Sequence, residues 1–298
     1  MKNKLPNFLI VGAAKSGTSS LHQYLIQHPD IFMPSYNKEG KNVKEPQFLI
    51  KEKVEKRLHF GVWDWEEYKA LFDDSGEYKS VGESTVFYLY YYKESIKNIK
   101  FRLGDDVKII IVLRNPIDRA YSAFQHVSRS VKENLSFEEA LKREENRLDE
   151  NQSLTPMVMY KDMGMYYEMV KAYLESFNHV HVILYEDFSN KVDDVLKGVF
   201  KFLEIDNTFL VDHTMKYNVG GKKWKNTYLK HIFQKASFVK KIVPDCMRDK
   251  IRKKLVSLST NKVPSMGSKT KELLNVFFKE DINSLSKLIG RDLKHWIK

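Results

Sequence analysis

Phe8-Leu9-Ile10-Val11-Gly12-Ala13-Ala14-Lys15-Ser16-Gly17-Thr18-Ser19 is the stretch whose reading decides the fold. Its four leading apolar residues show no helical period and read as a buried parallel strand. Thr18 to Gln27, with Leu21 and Leu25 one turn apart, reads as a helix ended by His28-Pro29. A glycine-rich turn between a strand and a helix is an anion site. Backbone N–H groups and the helix N-terminus converge on a phosphate there, with Lys15 and the hydroxyls of Ser16, Thr18 and Ser19 around Gly17 completing the cradle. It is not a Walker A loop, which requires Gly-Lys-Ser/Thr in that order, because Lys15 precedes Gly17. The bland alternative is an ordinary strand-to-helix turn.

Outward from this stretch, Lys108-Ile109-Ile110-Ile111-Val112-Leu113 is the clearest strand, β-branched and closed by Arg114-Asn115-Pro116. A helix starts near Pro116, a residue favoured in a first turn. Short strands are expected at Lys79–Val81 and Val180–Tyr185, and helices at 63–72, 136–150, 163–177 and 190–203. A last helix is expected with Leu273, Leu274, Phe277, Phe278, Leu285 and Leu288 on its apolar face. Residues 29–50, with three prolines and Lys38, Lys41 and Lys44, read as a loop. Strands alternating with helices predict an α/β fold, a central parallel sheet flanked by helices and P-loop-like at its first turn. No repeat, low-complexity tract or linker divides the chain, so residues 1–298 read as one domain.

The chemistry-bearing residues cluster at strand ends. Arg114 ends the best strand, on the sheet edge where open α/β sheets bind ligands, and an arginine there suits a phosphate. Ser122, about two helical turns further on, can donate to the same group; the bland alternative pairs Arg114 with a carboxylate such as Asp118. Lys44-Glu45-Pro46 places a carboxylate beside a cation in a stiffened loop, which suits a general base, although alone it reads as a solvated glutamate. Glu83 and the pair Glu186-Asp187 follow two other strands; the second is a candidate metal carboxylate. Asn218 to Lys223 reads as a basic glycine loop, and Tyr88, Tyr90, Tyr91 and Tyr92 read as packing. The nine histidines show no H-x-x-x-H or H-E-x-x-H spacing, and no metal site is expected.

Composition bounds the class. The chain has 298 residues, 42% hydrophobic and 13% aromatic, which excludes a disordered chain. A net charge of +11 predicts acidic partners such as a nucleotide or polyanion. The single cysteine, Cys246, excludes an internal disulfide and a cysteine-built zinc finger. No apolar run approaches the roughly 18–20 residues of a membrane helix, and the short run at Phe8–Val11 leads into the phosphate loop rather than a signal cleavage site. A soluble, cytoplasmic enzyme is expected.

Together these segments resemble the sulfotransferases that use 3′-phosphoadenosine 5′-phosphosulfate (PAPS), especially the bacterial and heparan-sulfate-type branch. Phe8 to Leu21 is similar to the family's 5′-phosphosulfate loop, and Lys44-Glu45-Pro46-Gln47-Phe48 to its catalytic-glutamate segment. Val112 to Pro116 with Arg119-Ala120-Tyr121-Ser122 resembles its 3′-phosphate motif. Val182 to Phe188, and Leu288 to Leu293 with Trp296, are similar to further family landmarks. The resemblance implies PAPS as donor, PAP as product and no metal. It implies Glu45 as general base and Lys15 as the cation at the leaving phosphate. Lys15, Ser16, Gly17, Thr18 and Ser19 would hold the 5′ side, Arg114 and Ser122 the 3′-phosphate, and Lys222 and Lys223 would close over the nucleotide. The acceptor is left open among a saccharide, a lipid-linked sugar and a small hydroxylated metabolite. The chain departs from the heparan-type pattern at Ser84, where a lysine often follows the glutamate, and at Gln47.

Two other classes compete. A P-loop nucleotide kinase or NTPase needs the Walker order and a magnesium carboxylate, whereas the strand at 108–113 ends in arginine. A non-enzymatic polyanion- or nucleic-acid-binding protein would concentrate its basic residues in an arm or patch, and here they are spread along the chain, so no nucleic-acid partner is expected.

Overall fold

In the computed structural model five strands form one sheet: β1 (Phe8–Gly12), β2 (Ile31–Phe32), β3 (Ser80–Ser84), β4 (Lys108–Leu113) and β5 (Val180–Leu184). Their order is β2-β3-β1-β4-β5 and every neighbouring pair is parallel. The structure describes residues 5–35, 37, 39–40, 42–129, 133–214, 222–224, 260–262 and 265–297, with the side chains of 222–224 and 260–262 outside that description.

The continuous apolar runs are explained by the two-residue period of a strand, which sends alternate side chains to opposite faces. Leu9, Val11, Ile109 and Ile111 enter one core, and Phe8, Ile10, Ile110 and Val112 enter the other. Helices cover both faces. The first core takes Ile99 of α4 (Tyr92–Leu103), Ala120 and Ala123 of α5 (Pro116–Ser128), Val170 of α8 (Tyr166–Ser176) and Leu274 of α11 (Ser268–Ile289). The second takes Leu21 and Leu25 of α1 (Thr18–Leu25) and Leu196, Val199, Phe200 and Leu203 of α10 (Val192–Leu203). The remaining helices are α2 (Lys51–Val54), α3 (Trp65–Ala70), α6 (Phe137–Lys142), α7 (Arg147–Glu150) and α9 (Tyr185–Asn190).

The strand order reverses at β1, with β3 on one side and β4 on the other. The crevice outside the carboxyl ends of these three strands is therefore the topological switch point of the sheet. The turn after β1 opens into it.

Four local readings differ from expectation. Residues 136–150 break into α6, a 3₁₀ turn (Glu144–Asn146) and α7. Glu144 turns inward there, its carboxylate accepting from Lys161 N and Asp162 N at 2.8–2.9 Å, a tertiary demand that a continuous surface helix does not meet. On α11, Leu274, Phe278, Ile282 and Leu285 are buried, whereas Leu273 and Phe277 are exposed, so the buried stripe is narrower than the apolar set. The loop expected at 29–50 contains edge strand β2. Lys222 and Lys223 lie not in a glycine loop but in strand β6 (Lys222–Trp224), paired antiparallel with β7 (Thr260–Lys262). Residues 218–221 lie outside the described residues.

Candidate functional site

The turn after β1 is shaped by two left-handed residues. Gly17, at φ +90°, starts α1, and a Cβ there would stand 3.2 Å from the Tyr185 ring. Lys15 adopts φ +70°, a conformation that costs a non-glycine residue on the order of 1 kcal/mol and is held only by its surroundings. Its carbonyl accepts from Arg114 Nη1 at 3.2 Å. No side chain caps α1, so the first-turn N–H groups around Thr18 and Ser19 face the crevice without an intrahelical acceptor. Ser16 is buried beside the Tyr166 hydroxyl, which also donates to the Arg114 carbonyl at 3.1 Å.

Lys15 is drawn down to about 8, chiefly by burial and then by the charges of Arg129 and Arg114, while Glu45 pushes the other way. Four groups from four segments thus converge: Lys15 on the first turn, Arg114 at the end of β4, Arg129 after α5, and Glu45 on the loop after β2. Glu45 is oriented by its neighbours, with Lys44 Nζ at 3.1 Å from Oε1 and Gln47 Nε2 donating to Oε2 at 3.3 Å. Gln47 takes φ +63°, and its N–H donates to Thr85 Oγ1 at 3.4 Å, tying the loop to the end of β3. The two non-glycine residues strained in this way near the crevice are those that present Lys15 and Glu45.

Arg114 lies with its guanidinium carbon 4.8 Å over the Tyr185 ring, and one of its nitrogens is committed to the Lys15 carbonyl. Asn115 caps α5 through Oδ1, accepting from Ile117 N at 3.0 Å, and its amide donates to the Trp296 carbonyl at 3.1 Å. Ser122 is half-buried on α5, one helical turn before His126. His126 Nδ1 lies 3.5 Å from Lys15 Nζ, and this i, i+4 face of α5 therefore turns toward the phosphate loop. Burial first, then Lys15 and Arg129, hold His126 down at about 4, so it is neutral beside that cation. Arg119 is fully buried in α5, donates to the Tyr160 carbonyl, and adds fixed positive charge behind Arg114.

Glu186 and Asp187 have another employment than metal binding. Glu186 Oε1 accepts from Trp296 Nε1 at 2.7 Å and contacts His295 Nε2 at 2.6 Å; Asp187 accepts from Arg291 Nη2 at 2.6 Å. They clamp the C-terminal segment across the ends of β4 and β5. Asp281 of α11 completes that clamp by accepting from Tyr166 N and Tyr167 N at 2.9 and 3.1 Å, capping α8. The side chains of Lys222 and Lys223, expected to close over the nucleotide, lie outside the described residues.

Glu83, the rival carboxylate, sits within β3 at 0% exposure, while the Glu45 side chain is 22% exposed. Of the two carboxylates, Glu45 is the one open to solvent. Burial raises Glu83 to about 8 despite the Tyr88 and Tyr68 hydroxyls packed against it, with Glu45 adding to the rise. The folded carboxyl therefore keeps its proton to about pH 8, while the unfolded one releases it near its ordinary 4.5. Between these values the unfolded chain binds fewer protons, so this group's contribution to stability falls as pH rises from about 4.5 to 8. Glu83→Gln removes that loss and is expected to be more stable than the parent by about 1–3 kcal/mol at pH 8, with the difference vanishing near pH 4.5. Urea melts of both proteins across this range check it; a constant difference would show Glu83 ionised in the fold.

His22 and His126 were not singled out by sequence, because neither lies in a ligand spacing. The one available signal was the i, i+4 placement of His126 after Ser122.

Comparison with known proteins agrees with this fold. The chain is 31% identical to a sulfotransferase from Alicyclobacillus acidocaldarius of known crystal structure, over 99% of this chain and all of that one, with a TM-score of 0.73. It is 32% identical over 124 residues to human bifunctional heparan sulfate N-deacetylase/N-sulfotransferase 3, covering 42% of this chain and 13% of that protein. It is 24% identical to the Xenopus laevis bifunctional enzyme 1 over 99% of this chain and 31% of that protein. The chain thus spans a third or less of the length of these curated relatives. A family model described as the sulfotransferase domain matches residues 5–257, and with a crevice at the switch point lined by an uncapped helix start, Lys15 and Arg114, the chain belongs to the sulfotransferase family and is an enzyme of it.

Proposed function

We propose that this enzyme transfers the sulfuryl group of PAPS to a hydroxyl or amine of a saccharide acceptor, with Glu45 as general base and Lys15 as the cation at the leaving phosphate. The observation that carries the reading is the meeting of Lys15 and Glu45, from segments thirty residues apart, at the carboxyl edge of β1. The bound donor supplies an activated sulfuryl group on a phosphate leaving oxygen. Glu45, steadied by Lys44 and Gln47, accepts the acceptor's proton, an effect typically worth 10²–10⁴-fold. Lys15 and the first-turn N–H groups of α1 stabilise charge growing on the phosphate side. Arg114 and Ser122 hold the 3′-phosphate.

The residues present fit such a donor. The crevice gathers Lys15, Arg114 and Arg129 against one carboxylate, and α1 begins there with no side-chain cap. A saccharide acceptor is favoured by the heparan sulfate enzymes among the relatives. Ser84, fully buried and hydrogen-bonded to His22, supplies no cation at that point of the crevice. Calorimetric titration with adenosine 3′,5′-bisphosphate is the test. Tight binding of equal affinity with and without magnesium is expected, since the loop carries its own cation. No binding overturns the reading, and binding that requires magnesium favours a nucleotide kinase or NTPase instead.

A further inference from the structure

His22 hangs from α1 one helical turn after Thr18, on the helix that begins at the phosphate loop. It is fully buried, and both ring nitrogens are used: Nδ1 lies 2.9 Å from Ser84 Oγ at the end of β3, and Nε2 lies 3.1 Å from Ser35 Oγ. Ser35 is the root of the loop that carries the base. Its carbonyl accepts from Val43 N at 3.0 Å, so the chain leaves at Ser35, returns at Val43, and presents Lys44 and Glu45 directly afterwards. On the far side of Glu45 the Gln47 N–H is tied to Thr85, the residue after Ser84. The base is thus held at both flanks to the same strand end, and His22 joins its near flank to α1.

We propose that His22 is a positioning residue for the catalytic carboxylate: by engaging Ser35 and Ser84 together, it registers the Glu45 loop against the helix that cradles the donor. The proposal rests on Glu45 being the base. A neutral imidazole offers one donor and one acceptor, so one serine donates to the ring and the other accepts from it, whichever tautomer is present. A protonated ring would donate to both and would face the Lys44 ammonium. Burial, then that ammonium, hold His22 down at about 3, so the clasp keeps its donor–acceptor pattern throughout the neutral range.

Two near-isosteres separate the two bonds. The amide of Gln reaches the Nε2 position and keeps Ser35; the amide of Asn reaches only the Nδ1 position and keeps Ser84. Turnover is read as release of adenosine 3′,5′-bisphosphate from PAPS, with N-deacetylated heparosan as acceptor, and bisphosphate affinity is read by calorimetry. His22→Asn and Ser35→Ala are each expected to lower kcat about tenfold while bisphosphate affinity stays within about twofold. The double variant should be no slower than either single one, and His22→Gln should recover most of the rate. Amide hydrogen exchange at residues 42–47 should quicken in His22→Asn and not in His22→Gln. Parental kcat in Ser35→Ala, whose half-buried hydroxyl is removed without disturbing the helix, overturns the proposal. So does a loss of bisphosphate affinity equal to the loss of kcat, the mark of a damaged phosphate loop. Glu45→Gln, run beside them, keeps the two readings apart. A parental rate in that variant sinks the assignment of the base, whereas a crippled Glu45→Gln beside a fully active His22→Asn sinks only the role of His22.

Discussion

Glu45→Gln is expected to lower turnover at least about a hundredfold and to leave adenosine 3′,5′-bisphosphate affinity within about twofold. The substitution keeps the volume and one accepting oxygen for Lys44 or Gln47, but it removes the charge and the proposed site for the acceptor's proton. Glu83 cannot replace it, being enclosed in β3 and protonated up to about pH 8. The rise and fall of rate with pH adds a second reading. Lys15 loses its charge near 8 in the free enzyme, so kcat/KM should decline above that pH in both parent and variant. Under saturating donor the bound phosphates favour the charged ammonium, and the decline in kcat should move to higher pH. Steady-state kinetics from pH 6 to 10 check both. Near-parental turnover in Glu45→Gln would remove the carboxylate from the chemistry.

Arg114→Ala should weaken adenosine 3′,5′-bisphosphate about ten- to a hundredfold, the roughly 1.5–3 kcal/mol of a charge-assisted contact in a partly buried site. Adenosine 5′-phosphosulfate, which lacks the 3′-phosphate, should lose no more than about threefold. That smaller loss is not zero, because Arg114 Nη1 also donates to the Lys15 carbonyl and so steadies the phosphate loop. Stacking on Tyr185 holds the guanidinium plane in place for its remaining donors. Calorimetry with the two ligands separates the contributions. Equal losses would mean that Arg114 acts only through the loop, and the 3′-phosphate would then need another anchor.

The sheet was legible in the sequence because a strand buried on both faces must be apolar at every position, and two such runs end at Gly12 and Leu113. The phosphate loop was legible for the same reason: glycines, a lysine and hydroxyls between a strand and a helix have few other uses. Those features are local, and sequence alone determined them. The choice between Glu45 and Glu83 belonged to the tertiary structure, since both are carboxylates near glycine or proline and only burial separates them. The same holds for Glu186 and Asp187, whose fate depends on Arg291, His295 and Trp296 more than a hundred residues away. His22 and His126 were invisible because a histidine's role is set by what faces its two nitrogens. Those partners, Ser35 and Ser84 for one and Lys15 for the other, meet it only when helices α1 and α5 pack on the sheet. What the sequence determined was each element and its chemistry; what folding decided was which charges lose their water, because desolvation depends on neighbours distant in the chain.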